Sequence, residues 1–242
     1  MKKIALVLIL VFLVFAGYET LRAKNEQAKL TENLELVETK DIKEEEEIIP
    51  PHLALFQELG LEDKVSFQAF DQAMTGYETL NIQNPILTLI DFSKPSTEER
   101  FYVINLDKKE ILFETVVAHG KRSGENYATS FSNKSGSCQS SLGFFLTEQT
   151  YKGKAGLSLT LNGLEKGIND NVRKRGVVIH GAAYANPEKA KYAGRLGRSQ
   201  GCPALPVKIN KPVIDVIKNG TLVFAYSELF NEDYLVKSTV LN

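Results

Sequence analysis

The 242-residue chain has no surplus of either charge: 29 Lys and Arg stand against 30 Asp and Glu, for a net charge of −1 and a pI near 6.4. Without a basic field it has no whole-molecule electrostatic basis for holding nucleic acid, and none is expected as a partner. Hydrophobic residues make up 43%, charged residues 24%, and Gly and Pro number 17 and 8, which excludes a collagen-like, wholly disordered or multi-span membrane protein. Metal-ligand spacing is missing too. Neither C-x-x-C nor H-E-x-x-H occurs, so a zinc ion would have to gather His119, His180, Cys138 and Cys202 from separate segments, and no metal is expected. There is no internal repeat, and the one low-complexity tract is a run of acids near the N-terminus.

What is present begins with Met1-Lys2-Lys3 ahead of an unbroken apolar run, Ile4 to Ala16. A basic start followed by about 7–15 apolar residues reads as an export signal, shorter than the roughly 20 residues a membrane helix needs. Val14-Phe15-Ala16 offers small residues for cleavage before Gly17, while Gly17 and Tyr18 lengthen the segment, so residues 1–18 are a signal peptide or a signal-anchor. Either places the body outside the cytoplasm, in the periplasm or cell envelope, with membrane contact only through an uncleaved anchor. Residues 19–51 hold ten acids and five bases and end in Glu44–Glu47, Ile48-Ile49 and Pro50-Pro51. Same-sign crowding extends a chain and the prolines block a continuing helix, so this stretch is expected to be a solvated acidic linker.

Residues 52–242 are one domain's worth of chain. Val65, Phe67, Phe70, Met74 and Tyr77 recur at helical spacing behind Ser66, a good cap, predicting an amphipathic helix from Ser66 to about Leu80 whose aromatic stripe is core. Short β-type runs follow at Ile86–Phe92, Phe101–Leu106, Ile111–Ala118, Gly143–Thr147, Leu157–Leu161, Gly176–His180 and Thr221–Tyr226, with a hairpin turn at Asp107–Glu110. Ile209–Ile217, closed by Asn219-Gly220, reads as a late helix with a glycine C-cap. The fold class is mainly β with a few helices (α+β). His52, beside Pro51 at the domain edge, is expected to be solvated.

Chemistry concentrates between Val177 and Pro206. The apolar run Val177-Val178-Ile179 delivers His180-Gly181, with Tyr184 just beyond, and some twenty residues later Arg198-Ser199-Gln200-Gly201-Cys202-Pro203 presents a cysteine. Such a layout can bring imidazole and thiol together in space. A free thiol of pKa about 8.5 is only a few per cent thiolate at neutral pH, and a neighbouring imidazole can take its proton and return it to a leaving amine. Backbone amides around Gly201 and Cys202 are candidates for an oxyanion hole, worth about 3 kcal/mol per donor. Between Asn171 and Pro203 lie seven bases (Arg173, Lys174, Arg175, Lys189, Lys191, Arg195, Arg198) against Glu188 alone. A basic rim attracts a terminal carboxylate, and Arg198 is the first candidate to bind it.

His180-Gly181 followed by Ser199-Gln200-Gly201-Cys202-Pro203 resembles the active-site signature of bacterial L,D-transpeptidase catalytic domains with a YkuD-like β-sandwich or barrel. Val117-Ala118-His119-Gly120, Phe131-Ser132-Asn133 and Ser140–Phe145 resemble the segments that precede it, so the likeness runs from roughly Leu87 to Ser227. It implies that Cys202 attacks a peptidoglycan stem peptide at the carbonyl before a terminal D-alanine, with His180 as base and acid and a carbonyl near Gly181 orienting the ring. The acyl group then passes to an amine or to water, without metal or organic cofactor. It also implies that Ser199 and Gly201 shape the nucleophile loop and that Arg198, His119, Ser141 and Tyr184 face substrate. The chain departs from the family's common Ser-His-Gly-Cys spelling, and from its Arg or Asn two residues later, with Gln200 and Ala204.

Several alternatives stay open. Cys138 and Cys202 can oxidise to a disulfide, closing a loop of about 64 residues for roughly 4 kcal/mol and removing the nucleophile. Transfer competes with hydrolysis by the same thiol, an L,D-carboxypeptidase, and both compete with a non-catalytic wall-binding β-domain. His119 fits a structural hydrogen-bonding role as readily as a cleft, and turn hydrogen bonds explain Ser140 and Ser141 equally well. A monomer is the default.

Overall fold

The structure is a computed structural model that describes residues 19–29 and 50–229. They fall into two units, residues 1–49 and 50–242. In the first, residues 19–29 form an exposed helix, α1, where an extended spacer is expected. The reason is local: this part mixes Glu19, Arg22, Lys24, Glu26 and Lys29, with Arg22 and Glu26 paired one turn apart at 3.8 Å, and the same-sign crowding starts later. The signal and the rest of the linker lie outside the described residues.

In the second unit the elements run α2 (Leu53–Glu58), α3 (Phe67–Thr79), β1 (Ile86–Asp91), β2 (Phe101–Asn105), β3 (Glu110–Thr115), β4 (Gly143–Gly153), β5 (Gly156–Gly163), α4 (Val172–Arg175), β6 (Val178–Ala182), α5 (Pro187–Ala193), β7 (Ala204–Pro206), α6 (Val207–Ile217) and β8 (Leu222–Tyr226). The strands form one sheet in the order β3-β2-β1-β8-β4-β5-β6-β7. Beyond β3 the chain runs on to bridge the opposite edge, Ala118 with Ala204 and Gly120 with Ser199, so the sheet nearly closes on itself. The two segments joined there are the one before His119 and the one that carries Cys202.

Two cores explain the continuous apolar strands. In β1 every residue is buried, because alternate side chains serve opposite faces. Ile86 and Ile90 point into the sheet's interior with Val103, Phe145, Leu159 and Ile179, which α6 closes through Val213, Ile214 and Ile217. Leu87 and Leu89 point outward, under Phe56, Phe70 and Met74 of α2 and α3. The amphipathic helix forms as the spacing predicts: Ser66 caps α3 by accepting the Ala69 N–H at 3.2 Å, and Ala69, Phe70, Ala73, Met74 and Gly76 are buried.

Three local expectations are corrected. His52 is buried, its Nδ1 2.7 Å from Asp71 and its Nε2 3.4 Å from Glu78, because α2 packs on α3 and carries it to the polar edge of that helix. The strand expected to run to Ala118 stops at Thr115, since from there the chain leaves β2 to cross to β7. The late helix ends on an extended Lys218 (φ −71°, ψ 163°) instead of a glycine cap. Asn219 (φ 67°) and Gly220 (φ 87°) form a tight turn into β8, with their N–H groups donating to the carbonyls of Glu148 and Thr147 in the middle of β4.

Candidate active site

β6 and β7 run parallel, with His180 opposite Ala204, and the His180 N–H donates to the Pro203 carbonyl at 3.4 Å. Cys202 therefore lies two residues before the partner of His180, in the loop that leads into β7. The imidazole is almost fully buried, and its Nδ1 lies 3.0 Å from the carbonyl oxygen of Gly181. With Nδ1–H donated there, Nε2 is the nitrogen left to accept a proton. Gly181 itself is forced by packing: a Cβ would stand 2.9 Å from Cβ of Asn210 in α6.

The cysteine loop is fastened by two serines. Ser199 Oγ accepts the Gly201 N–H at 3.0 Å and donates to the Cys202 carbonyl at 2.6 Å. Ser140 Oγ donates to the Gly201 carbonyl at 3.2 Å and accepts the Gly120 N–H at 3.0 Å. Gly201 has a φ of 126°, and a Cβ there would lie 2.8 Å from the Gln139 carbonyl, so glycine is required for the loop to reach residues 138–141. The close approach serves Gln139. The Gly201 N–H is spent on Ser199, which narrows the expected oxyanion donors to the Cys202 N–H, unbonded among the described residues.

Cys138 and Cys202 are both free thiols, so the disulfide alternative is not formed. Cys202 Sγ lies 3.8 Å from the Gly176 carbonyl. Burial pushes its thiol up, against the Val178 N–H and the Arg175 guanidinium, which pull it down. Tyr184 borders the same sulfur: burial first, and then the charge of Cys202, push its phenol up to about 12, so it stays protonated at neutral pH. An open cleft of ≈ 510 Å³ lined by Tyr184, Lys189, Ala190, Arg195 and Gly197 continues from it.

Other expected site residues lie elsewhere. His119 is fully buried: Nδ1 accepts from Arg100 Nη2 at 2.8 Å and Nε2 lies 3.3 Å from the Gly124 carbonyl. Substrate has no access to that ring, and only its backbone carbonyl serves the site, accepting the Ser199 N–H at 2.9 Å. Burial and the Arg100 charge lower its pKa to about 4. Arg198 Nη1 is spent on the carbonyls of Lys121 and Gly124 and on the Glu125 carboxylate at 2.6 Å, which Arg195 shares at 2.9 Å, so the group expected to attract substrate is engaged within the protein. Ser141 donates to the Ser132 carbonyl and accepts from Arg175, a buttress in place of a contact surface.

Arg175 was hidden among three consecutive bases. Arg173 turns out to Glu148, whereas Arg175, the last residue of α4, turns in toward Cys202. No spacing in a single helical turn distinguishes them. Among the described residues no three His, Cys, Asp or Glu side chains converge as a metal site, and no helix is long and apolar enough to cross a membrane.

A nearly closed sheet that sets a glycine-borne cysteine loop beside a strand-borne, carbonyl-oriented histidine defines a class of protein. The L,D-transpeptidase catalytic domain family (YkuD_2) matches residues 61–226, and the chain belongs to that family. No curated protein matches it. Solved structures similar to it include an L,D-transpeptidase from Mycobacterium smegmatis (14% identity, 59% of this chain and 58% of that one, TM-score 0.37). Others are the helical cell shape determining protein Pgp2 from Campylobacter jejuni (14%, 67% and 57%, 0.40) and an L,D-transpeptidase from Stackebrandtia nassauensis (14%, 72% and 74%, 0.36). The chain spans about 58% of the length of the Mycobacterium smegmatis protein.

Proposed function

We propose that the chain is a cysteine-dependent acyltransferase that works on peptidoglycan stem peptides at the cell envelope. The observation that carries this reading is a histidine whose Nδ1 is anchored on the Gly181 carbonyl, set opposite Ala204, with the cysteine two residues before that partner in the loop that leads into β7. Family membership supplies the substrate class.

On this reading Cys202 gives its proton to His180 Nε2 as its sulfur bonds to the carbonyl carbon before the terminal D-alanine. Oxygen takes up the electron pair and is met by the Cys202 N–H, with the protonated Tyr184 phenol beside it. Collapse breaks the C–N bond, His180 returns the proton to the departing amine, and a thioester on Cys202 remains. A second stem's amine attacks that thioester, losing a proton to His180, and the thiol leaves with a proton regained: a ping-pong transfer. Water in place of the amine would give hydrolysis and an L,D-carboxypeptidase.

Incubation with tetrapeptide stems, followed by mass spectrometry, tests the reading. Release of D-alanine with crosslinked product is expected. D-alanine alone would convert the reading to hydrolysis, and neither product, with retained binding to cell-wall sacculi, would leave a binding domain.

A further inference from the structure

Arg175 is a guanidinium with its four terminal N–H groups filled and its charge left over. Nη1 donates to the Ser132 carbonyl and to Ser141 Oγ, and Nη2 donates to the Gln139 carbonyl at 2.7 Å and to Ser137 Oγ at 3.2 Å. All four terminal N–H groups are thus taken by neutral acceptors, which leaves no bidentate fork for a substrate carboxylate. No acid neutralises it: among the described residues the ionisable groups that bear on Arg175 are Cys202 and Cys138. Its place is fixed from two sides. A Cβ on Gly201, the residue before the cysteine, would sit 3.5 Å from Nη2, and the carbonyl of Gly176, the residue after the arginine, lies 3.8 Å from Cys202 Sγ.

We propose that Arg175 is a positioning residue whose unneutralised charge, held rigid by the 132–141 loop, stabilises the thiolate of Cys202. This rests on the reading of Cys202 as the nucleophile. An uncompensated cation near a half-buried sulfur offsets the desolvation that otherwise keeps the thiol protonated. Among the described residues the Tyr184 phenol is the other titratable group on which Cys202 bears and no carboxylate acts on the sulfur, while His180, paired opposite Ala204, takes its proton on the proposed reading. The arginine thereby supplies a charge that the Gln200 position, uncharged in this chain, does not.

The test reads the pH midpoint of Cys202 alkylation by iodoacetamide, in a Cys138→Ser background so that one thiol is followed, with thermal unfolding alongside. Arg175→Met is expected to raise the midpoint by about one unit or more, and Arg175→Lys, which keeps the charge but not the four-bond fork, to restore most of that shift. A merely structural arginine would lower the melting temperature in both variants without moving the midpoint. An unchanged midpoint in Arg175→Met, or equal shifts in Met and Lys, overturns the proposal. If Arg175→Met does not fold, Arg175→Gln, which keeps an amide donor but no charge, is expected to show the same rise, and an unchanged midpoint there overturns it too. Alkylation needs no peptidoglycan, so the expected shift in a protein that releases no D-alanine from stems would sink the acyltransfer reading and leave this one standing.

Discussion

Ser199 uses one hydroxyl twice, accepting from Gly201 and donating to Cys202, and so fixes the backbone on either side of the sulfur. Ser199→Ala leaves a buried N–H and a carbonyl without partners and is expected to cost about 1–3 kcal/mol in chemical denaturation, with a loss of turnover from the loosened loop. His180→Ala, removing the proposed base and acid, is expected to lower kcat by roughly 10²–10⁴-fold with a smaller change in KM. His119 makes a pH prediction. Its folded pKa of about 4 lies below the unfolded value of 6.5, so the unfolded chain binds the extra proton, and this residue's contribution to stability falls as pH drops from 6.5 to 4. Up to roughly 3 kcal/mol is at stake, and His119→Gln should flatten the urea midpoint across that window. A carbonyl near Gly181 orienting the imidazole was implied by the family resemblance of His180-Gly181, and the Gly181 oxygen lies 3.0 Å from Nδ1. The fates of Arg198 and His119 were not legible in the sequence, because their partners, Glu125 and Arg100, are set by a tertiary path that no local spacing encodes.

At the scale of elements, strands whose two faces are both buried announce themselves as apolar runs, and β1, β2 and β8 stand within a residue of where composition places them. β7 was illegible. It is three residues long, carries Pro206, and is defined by what lies on either side of it, His180 of β6 and Ala118. β4 outruns its apolar stretch because Thr150–Gly153 pair with β5 around a hairpin, although they lie at the surface and bury no core side chain. The nucleophile loop is where element geometry is tightest. Gly201→Ala must accept a φ of 126° and a contact of 2.8 Å with a backbone carbonyl, and is expected to cost at least about 1–3 kcal/mol. Comparison of denaturant midpoints for Gly201→Ala and for Gly194→Ala checks this: Gly194 has a φ of 70°, within the left-handed region, and open space around its missing Cβ, so the larger loss expected at Gly201 reports its more strained φ together with the contact with Gln139.

For the whole molecule, near closure of the sheet gathers segments far apart in the chain, residues 118–120, 138–141, 175–181 and 199–204, at one end, while α2 and α3 cover the outer face. Charge counting found the basic stretch but not its division of labour, since Arg173 pairs with Glu148 and Arg195 and Arg198 share Glu125, while Arg175 has no carboxylate partner among the described residues. The separation of outer core from site makes a prediction: Phe70→Ala, at a fully buried position on the inner face of α3, should cost about 3–5 kcal/mol of folding stability yet leave kcat unchanged at temperatures where the protein is folded. Intact-mass spectrometry of the protein mixed with a tetrapeptide stem reaches the central claim most directly. The account predicts an adduct of the stem less its terminal D-alanine, carried by Cys202 and lost in Cys202→Ala together with D-alanine release. Continued release of D-alanine by Cys202→Ala, or an adduct mapped to any other residue, would contradict it.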